Sequence, residues 1–168
     1  MIVIIGAMKC GTSSLNKYLL LHPEICMSKP KELNFFIEKK NWQKGLDWYL
    51  SRFDADKSVW GESSTSYTKW PMHTGVPRRM HSCIPDATLV YLMRDPIDRI
   101  VSHYIHNVAK GYERRSLKEA IAETDNNHYV HTSRYFMQIQ QFMEFYDRSQ
   151  LMLFELDEIS RDSTGVVR

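Results

Sequence analysis

Short aliphatic runs alternate along this chain with longer stretches in which apolar residues return every three or four positions. Ile2-Val3-Ile4-Ile5 is a run of aliphatic, mostly β-branched residues, the pattern of a strand buried on both faces. A helix is expected from Thr12, with Thr12 or Ser13 placed to cap it, and it stops at His22-Pro23 because proline disfavours helix in the residue before it. Ile25-Cys26-Met27 reads as a short strand, Ser58-Val59-Trp60-Gly61 as another, Thr88 to Met93 as the clearest one and Gln150 to Phe154 as the last. Leu46, Tyr49, Leu50 and Phe53 fall on one face of a helix over 43–53, an aromatic stripe of the core-packing kind. A short helix is expected over 77–83. Pro96 suits the first turn of a further helix carrying Ile97, Ile100, Val101, Tyr104, Ile105 and Val108 on a helical period. Ser116-Leu117-Lys118-Glu119 has the form of a capping box, Asp125 to His128 reads as a loop, and Tyr135, Ile139, Phe142, Met143 and Tyr146 mark a long amphipathic helix. Asp157 is placed to cap one more.

Strands alternating with helices predict an α/β fold, a central parallel sheet flanked by helices on both faces. Ligands in such sheets bind beyond the carboxyl ends of the strands. Those ends lie here at Gly6, Glu62, Arg94 and Glu155. The 168 residues suit one domain over 1–168, without repeats or low-complexity segments. A hydrophobic fraction of 43% and a charged fraction of 25% are globular values. The net charge of +2 is too small to argue for nucleic acid or a membrane surface, so any anion site must be a local cluster. Cys10, Cys26 and Cys83 have no metal-like spacing and read as reduced thiols, with one disulfide left open. The first apolar run is far too short for a membrane span or a signal peptide. The expected location is cytoplasmic if the chain is natural and complete, and the Golgi lumen if a leader has been removed.

The loop after the first strand changes the picture. Gly6-Ala7-Met8-Lys9-Cys10-Gly11 joins that strand to the start of a helix, where free backbone N–H groups and the helix dipole favour an anion. The glycine spacing is that of a Walker A loop, but Thr12 stands where its lysine belongs and the loop's lysine is Lys9, at the crest. Such a loop suits phosphate, though not in the manner of a Mg-nucleotide hydrolase. Arg94 leaves the end of a buried strand, and Ser102 follows two helical turns into the next helix. A guanidinium fork and a hydroxyl suit a second phosphate, and a salt bridge from Arg94 to Asp95 or Asp98 is the plainer alternative. His103 and His106, and His128 and His131, have a spacing that metals can use, but without a coordinating carboxylate pattern they read as polar-face residues. No metal is expected.

Gly6 to Leu15 resembles the loop of sulfotransferases that use 3'-phosphoadenylylsulfate (PAPS), and Tyr91 to Tyr104 is similar to that family's element for the 3'-phosphate. Lys29 to Phe36 and Gly61 to Tyr67 resemble two segments of its glycosaminoglycan branch, and Ser133 to Glu155 its later helix and strand. The resemblance implies a P-loop NTPase-like three-layer sandwich and sulfuryl transfer from PAPS to an acceptor hydroxyl or amine, leaving PAP. It implies Lys9 at the bridging oxygen, backbone N–H groups of Cys10, Gly11, Thr12 and Ser13 around the 5'-phosphate, Arg94 and Ser102 on the 3'-phosphate, and Glu32 as the catalytic base. A histidine, His103 first among them, is the alternative base, and the plainer reading of Glu32 is a surface carboxylate flanked by Lys29 and Lys31. Asn34, Ser63 and Thr65 depart from the family's acceptor segments, which leaves the acceptor open among carbohydrates, lipids and small molecules. The family's closing segment after the last strand is not matched before Arg168, so closure falls to another segment or a partner, or is lost in a shortened chain. A P-loop kinase or hydrolase with a displaced lysine and a non-catalytic PAP-binding protein are the alternatives.

Overall fold

The computed structural model describes residues 1–54 and 56–161. Of the domain read over 1–168, residue 55 and residues 162–168 lie outside that description. The strands are β1 (Ile2–Gly6), β2 (Ile25–Met27), β3 (Val59–Ser63), β4 (Thr88–Met93) and β5 (Leu151–Glu155). They form one five-stranded sheet in the order β2-β3-β1-β4-β5, and every pairing is parallel. The most continuously aliphatic run therefore takes the central place, where both faces are covered and no alternation is needed. Val3, Ile4 and Ile5 are fully buried.

The helices are α1 (Thr12–Leu20), α2 (Gly45–Leu50), α3 (Val76–Cys83), α4 (Pro96–Ala109), α5 (Leu117–Ala120), α6 (His128–Ser133), α7 (Tyr135–Met143) and α8 (Leu156–Arg161). The capping box at Ser116 and Glu119 is present, and Asp95 caps α4 by accepting from the N–H groups of Ile97 and Asp98. Other expectations need correction. Gly11, at φ 83°, is the N-cap of α1, not Thr12 or Ser13, and no side chain caps that helix. A 3-10 turn over Trp42–Lys44 precedes α2, which ends before Phe53. Of its expected stripe only Tyr49 is buried, stacked on Phe35 at 4.6 Å between ring centroids, while Leu46 and Leu50 are exposed. The loop expected over Asp125 to His128 ends at Asn127, which caps a helix, α6, that was not expected, α7 stops at Met143, and Asp157 lies inside α8.

The largest departure is in α4. Ile97, Ile105 and Val108 point outward, and the buried face is Arg99, Ile100 and His103. Periodicity marks which residues are apolar, but the partner surface decides which face is covered. Here the partners are α6 and the loop after β1, and both offer polar groups.

Gly6 shows how closely the sheet end is packed. A Cβ there would run into the Thr68 hydroxyl and stand 2.7 Å from the Tyr91 ring. One strand away, Glu62 is wholly buried and its carboxylate accepts from Tyr49 Oη (2.8 Å), Ser64 Oγ (2.6 Å) and Tyr67 Oη (2.7 Å). Burial lifts this carboxyl from its ordinary 4.5 to about 6, against the pull of the three donors. The folded chain therefore holds the proton more tightly than the unfolded chain. Its contribution to stability is largest below pH 4.5 and is lost as pH rises through about 6. A shift of this size corresponds to about 2 kcal/mol. Glu62→Gln removes the titration. Urea unfolding at pH 4 and pH 7 is expected to show the variant's stability relative to the parent rising by about 2 kcal/mol at the higher pH. A difference that does not change with pH would show that Glu62 titrates like an exposed carboxylate.

Candidate functional site

The loop after β1 is anchored at one end and open at the other. The N–H of Ala7 donates to the Leu92 carbonyl at 2.9 Å, which ties the loop to β4, and the N–H of Cys10 donates to Ala7 at 3.2 Å. Ser14 and Leu15 then donate to the Gly11 carbonyl to begin α1. Among the described residues, no hydrogen bond uses the N–H groups of Gly11, Thr12 or Ser13. These are the free donors that a helix start leaves for an anion. Gly11 needs its glycine twice over, because φ is 83° and a Cβ would lie 2.5 Å from Leu156 Cδ1.

Seven of the eight residues singled out from the sequence line one cavity of about 430 Å³: Lys9, Gly11, Thr12, Ser13, Glu32, Arg94 and Ser102. Lys31, Thr65 and His106 stand beside them. An adjoining opening of about 370 Å³ shares Lys9, Arg94, Ser102 and His106. Cys10 is the exception. Its side chain is fully buried, with Sγ 3.7 Å from Tyr135 Oη, and burial pushes its thiol up. Its N–H is already donated within the loop.

Glu32 is held on several sides. Oε2 accepts from the N–H of Thr65 at 3.0 Å, and Oε1 accepts from Thr65 Oγ1 and Lys31 Nζ, each at 3.2 Å. Lys31 Nζ also reaches Ser13 Oγ at 3.2 Å, bridging the start of α1 to the carboxylate. Arg94 Nη2 pairs with Asp98 Oδ2 at 3.2 Å, so the plainer reading of that arginine holds in this structure while its side chain also lines the cavity. A largely solvent-exposed pair of this kind contributes little.

Arg99 is wholly enclosed, and the sequence reading passed over it. It donates to the Tyr129 carbonyl at 2.7 Å, the Met8 carbonyl at 3.4 Å and Ser133 Oγ, and its Nη1 lies 3.3 Å from His103 Nδ1. Among the described residues it has no carboxylate partner. Burial first and Arg99 second push His103 down to about 2, so its imidazole is neutral and Nδ1 accepts. His103 is therefore a buried residue and not the polar-face residue expected. Lys31 was legible only as a charge flanking Glu32. His106 was marked only by its spacing from His103, Thr65 only as a departure from the family's segment, and Arg99 carried no sequence signal beyond lying in a segment already marked.

Lys9 and Glu32 share a further property. Both have positive φ, 72° and 62°, where side chains other than glycine are strained.

The family model for the sulfotransferase domain matches residues 1–168. The human bifunctional heparan sulfate N-deacetylase/N-sulfotransferase 2 is 27% identical over 177 residues, covering 94% of this chain and 20% of that protein. The membrane-associated sulfotransferase kil1 of Dictyostelium discoideum is 31% identical over 107 residues, covering 61% of this chain and 22% of that protein. The chain thus spans about a fifth of the length of these curated relatives. The crystal structure of a sulfotransferase from Alicyclobacillus acidocaldarius superimposes with a TM-score of 0.85 at 30% identity, covering 99% of this chain and 76% of that one.

In an ordinary loop alanine is more stabilising than glycine. At position 9 the order is expected to reverse. Lys9→Gly should be more stable than Lys9→Ala by about 1 kcal/mol in urea unfolding, because only glycine enters the left-handed region without strain. The usual order would show that the loop crest is unstrained.

Proposed function

The chain belongs to the sulfotransferase domain family, and from that premise we propose that it transfers a sulfuryl group from PAPS to an acceptor hydroxyl or amine. One observation carries the reading. The lysine of the loop crest, the helix start, the carboxylate of the Lys31-Glu32 segment and the Arg94–Ser102 pair converge on a single cavity. They come from three separate stretches of sequence.

Transfer demands in-line geometry and stabilisation of the departing phosphate. The acceptor's lone pair forms the new bond to sulfur as the bond from sulfur to the bridging oxygen breaks, and those electrons pass to the 5'-phosphate. Lys9 neutralises that charge. The N–H groups of Gly11, Thr12 and Ser13, with the hydroxyls of Thr12 and Ser13, hold the phosphate. Cys10 is left with a packing role, since its N–H is spent inside the loop. Glu32 accepts the acceptor's proton, and Thr65 orients its carboxylate through two hydrogen bonds. Arg94 and Ser102 hold the 3'-phosphate, for which Arg94 gives up Asp98. No step in this scheme calls for a metal. The departures at Asn34, Ser63 and Thr65 leave the acceptor's skeleton open. Among the described residues no helix is long and apolar enough to cross a membrane.

Calorimetric titration with PAP, with and without Mg²⁺ and beside ATP and adenosine 5'-phosphosulfate, tests the donor site. PAP is expected to bind without metal, and Arg94→Ala to weaken it about tenfold or more, the worth of one charge-assisted hydrogen bond. Glu32→Gln should leave PAP affinity unchanged and lower turnover about 10²–10⁴-fold. Preference for Mg-ATP, or indifference to the 3'-phosphate, would overturn the reading and favour a nucleotide hydrolase. PAP binding with no turnover on any acceptor would leave a binding protein.

A further inference from the structure

The carboxylate assigned to take the acceptor's proton is held from behind as well as from the cavity side. The N–H of Glu32 donates to the Ser63 carbonyl at 2.9 Å, and Thr65 holds the Glu32 side chain through two hydrogen bonds. Ser64 stands between those two residues. It is fully buried, and its Oγ accepts the N–H of Asn34 at 2.9 Å. Asn34 Nδ2 then donates to the Glu32 carbonyl at 2.8 Å. Glu32 and Asn34 both have positive φ, 62° and 50°, so the segment keeps this shape only while such bonds over-determine it.

The Ser64 hydroxyl donates in turn to Glu62 Oε1 at 2.6 Å. Glu62 does not line the loop cavity, and among the described residues it forms no ion pair. Tyr49, from α2, and Tyr67, from the 3-10 turn Thr65–Thr68, face it and donate their hydroxyls. Burial pushes both phenols up, so they stay protonated. Ser64 is the third donor, and the charge of Glu32 acts against ionisation of Glu62. The rings around the two phenols belong to the Glu32 segment as well. Phe35 stacks on Tyr49 at 4.6 Å between centroids, and Phe36 lies 5.1 Å from Tyr49 and 5.5 Å from Tyr67. An ionised carboxylate only accepts, and three donors suit it. A protonated one brings a hydrogen of its own, so a neighbouring hydroxyl must turn. Ser64 also receives the bond from Asn34, so a change in its hydroxyl reaches the segment that carries Glu32.

We infer that Glu62 is a positioning residue for Glu32: its ionised carboxylate fixes Ser64, Ser64 and Asn34 hold the Glu32 segment at the wall of the loop cavity, and protonation of Glu62 releases that hold. Burial places the change at about pH 6, so the hold is in force above it and is lost as pH falls through it. The charge that costs the fold stability at neutral pH is thus the one that orders the site. The inference rests on the sulfuryl-transfer reading for the role of Glu32 as base. The chain of bonds from Glu62 to Asn34 does not depend on it.

The test follows the backbone amide of Asn34 by heteronuclear NMR of the whole chain through pH 6, beside turnover of PAPS with water or glucosamine as acceptor. The amide is expected to titrate in the parent with a midpoint of about 6. It should still titrate in Glu32→Gln, which silences the nearer carboxylate, and should lose that titration in Glu62→Gln and in Ser64→Ala. The last two variants should bind PAP as the parent does, which reports an intact fold. Each should lower kcat about tenfold or more with KM for PAPS unchanged, and the double variant should fall no further than the lower single one, because both act through one chain of bonds. An Asn34 amide that ignores pH in Glu32→Gln, or titrates as in the parent in either Glu62→Gln or Ser64→Ala, overturns the inference. So does an unchanged kcat in both variants, or additive losses in the double one. If the parent neither binds PAP nor turns over PAPS while Asn34 still follows Glu62, the transfer reading falls and the chain of bonds stands. If PAP binds and PAPS is turned over but Asn34 does not follow Glu62, the transfer reading stands and the positioning role falls.

Discussion

A buried guanidinium that has no carboxylate partner among the described residues organises this end of the molecule. Arg99 must satisfy its donors inside the protein, because an unpaired buried polar group costs more than a formed bond returns. It does so with two carbonyls, a hydroxyl and an imidazole nitrogen taken from three elements: Met8 in the loop after β1, Tyr129 and Ser133 in α6, and His103 one turn along its own helix. Those bonds set the rotation of α4. With Arg99 and His103 turned inward, Ile97, Ile105 and Val108 can only face out. The same rotation brings Ser102 and His106 to the wall of the loop cavity, and places His103 on the wall of a second cavity.

The charge at the site is local. The whole chain carries only +2, yet among the described residues Lys9, Lys31 and Arg94 line the loop cavity against the carboxylate of Glu32, with Arg99 enclosed behind the loop crest. Such a cluster is tolerable because the flexible members remain partly in water while the enclosed member is fully hydrogen-bonded. Strain is concentrated in the same place. Lys9 and Glu32, the two residues assigned to the chemistry, are held at positive φ by a loop tied to β4 and by a segment tied to Ser63. Positions of this kind persist where surrounding bonds over-determine them, and they cluster at working sites.

Sequence patterning read the strands well because each is a short, continuous apolar run placed in a fully covered sheet, where burial and propensity agree. It read helices less well where they are short. The stripe at Leu46, Tyr49, Leu50 and Phe53 has the correct period, but α2 is little more than a turn and keeps only Tyr49 inside. In such segments aromatic contacts across the fold, such as Phe35 on Tyr49, outweigh helical periodicity. The cap of α1 was misassigned for a related reason. The hydroxyls of Thr12 and Ser13 are suitable caps in isolation, but the loop enters the helix through a left-handed glycine.

The sequence by itself determined the parallel α/β architecture, the glycine loop and the identity of most residues that meet around it, because these depend on local spacing: a glycine turn between a strand and a helix, and an arginine where a strand ends. Only the tertiary structure decided which groups those residues face. Cys10 sits in the loop yet turns into the core, Lys31 bridges Ser13 to Glu32, Thr65 orients that carboxylate, and α4 buries an arginine and a histidine in place of its isoleucines. The physical reason is that backbone propensity acts over a few residues. The satisfaction of buried polar groups is settled by partners brought from distant parts of the chain, such as Met8, Tyr129 and Ser133 around Arg99.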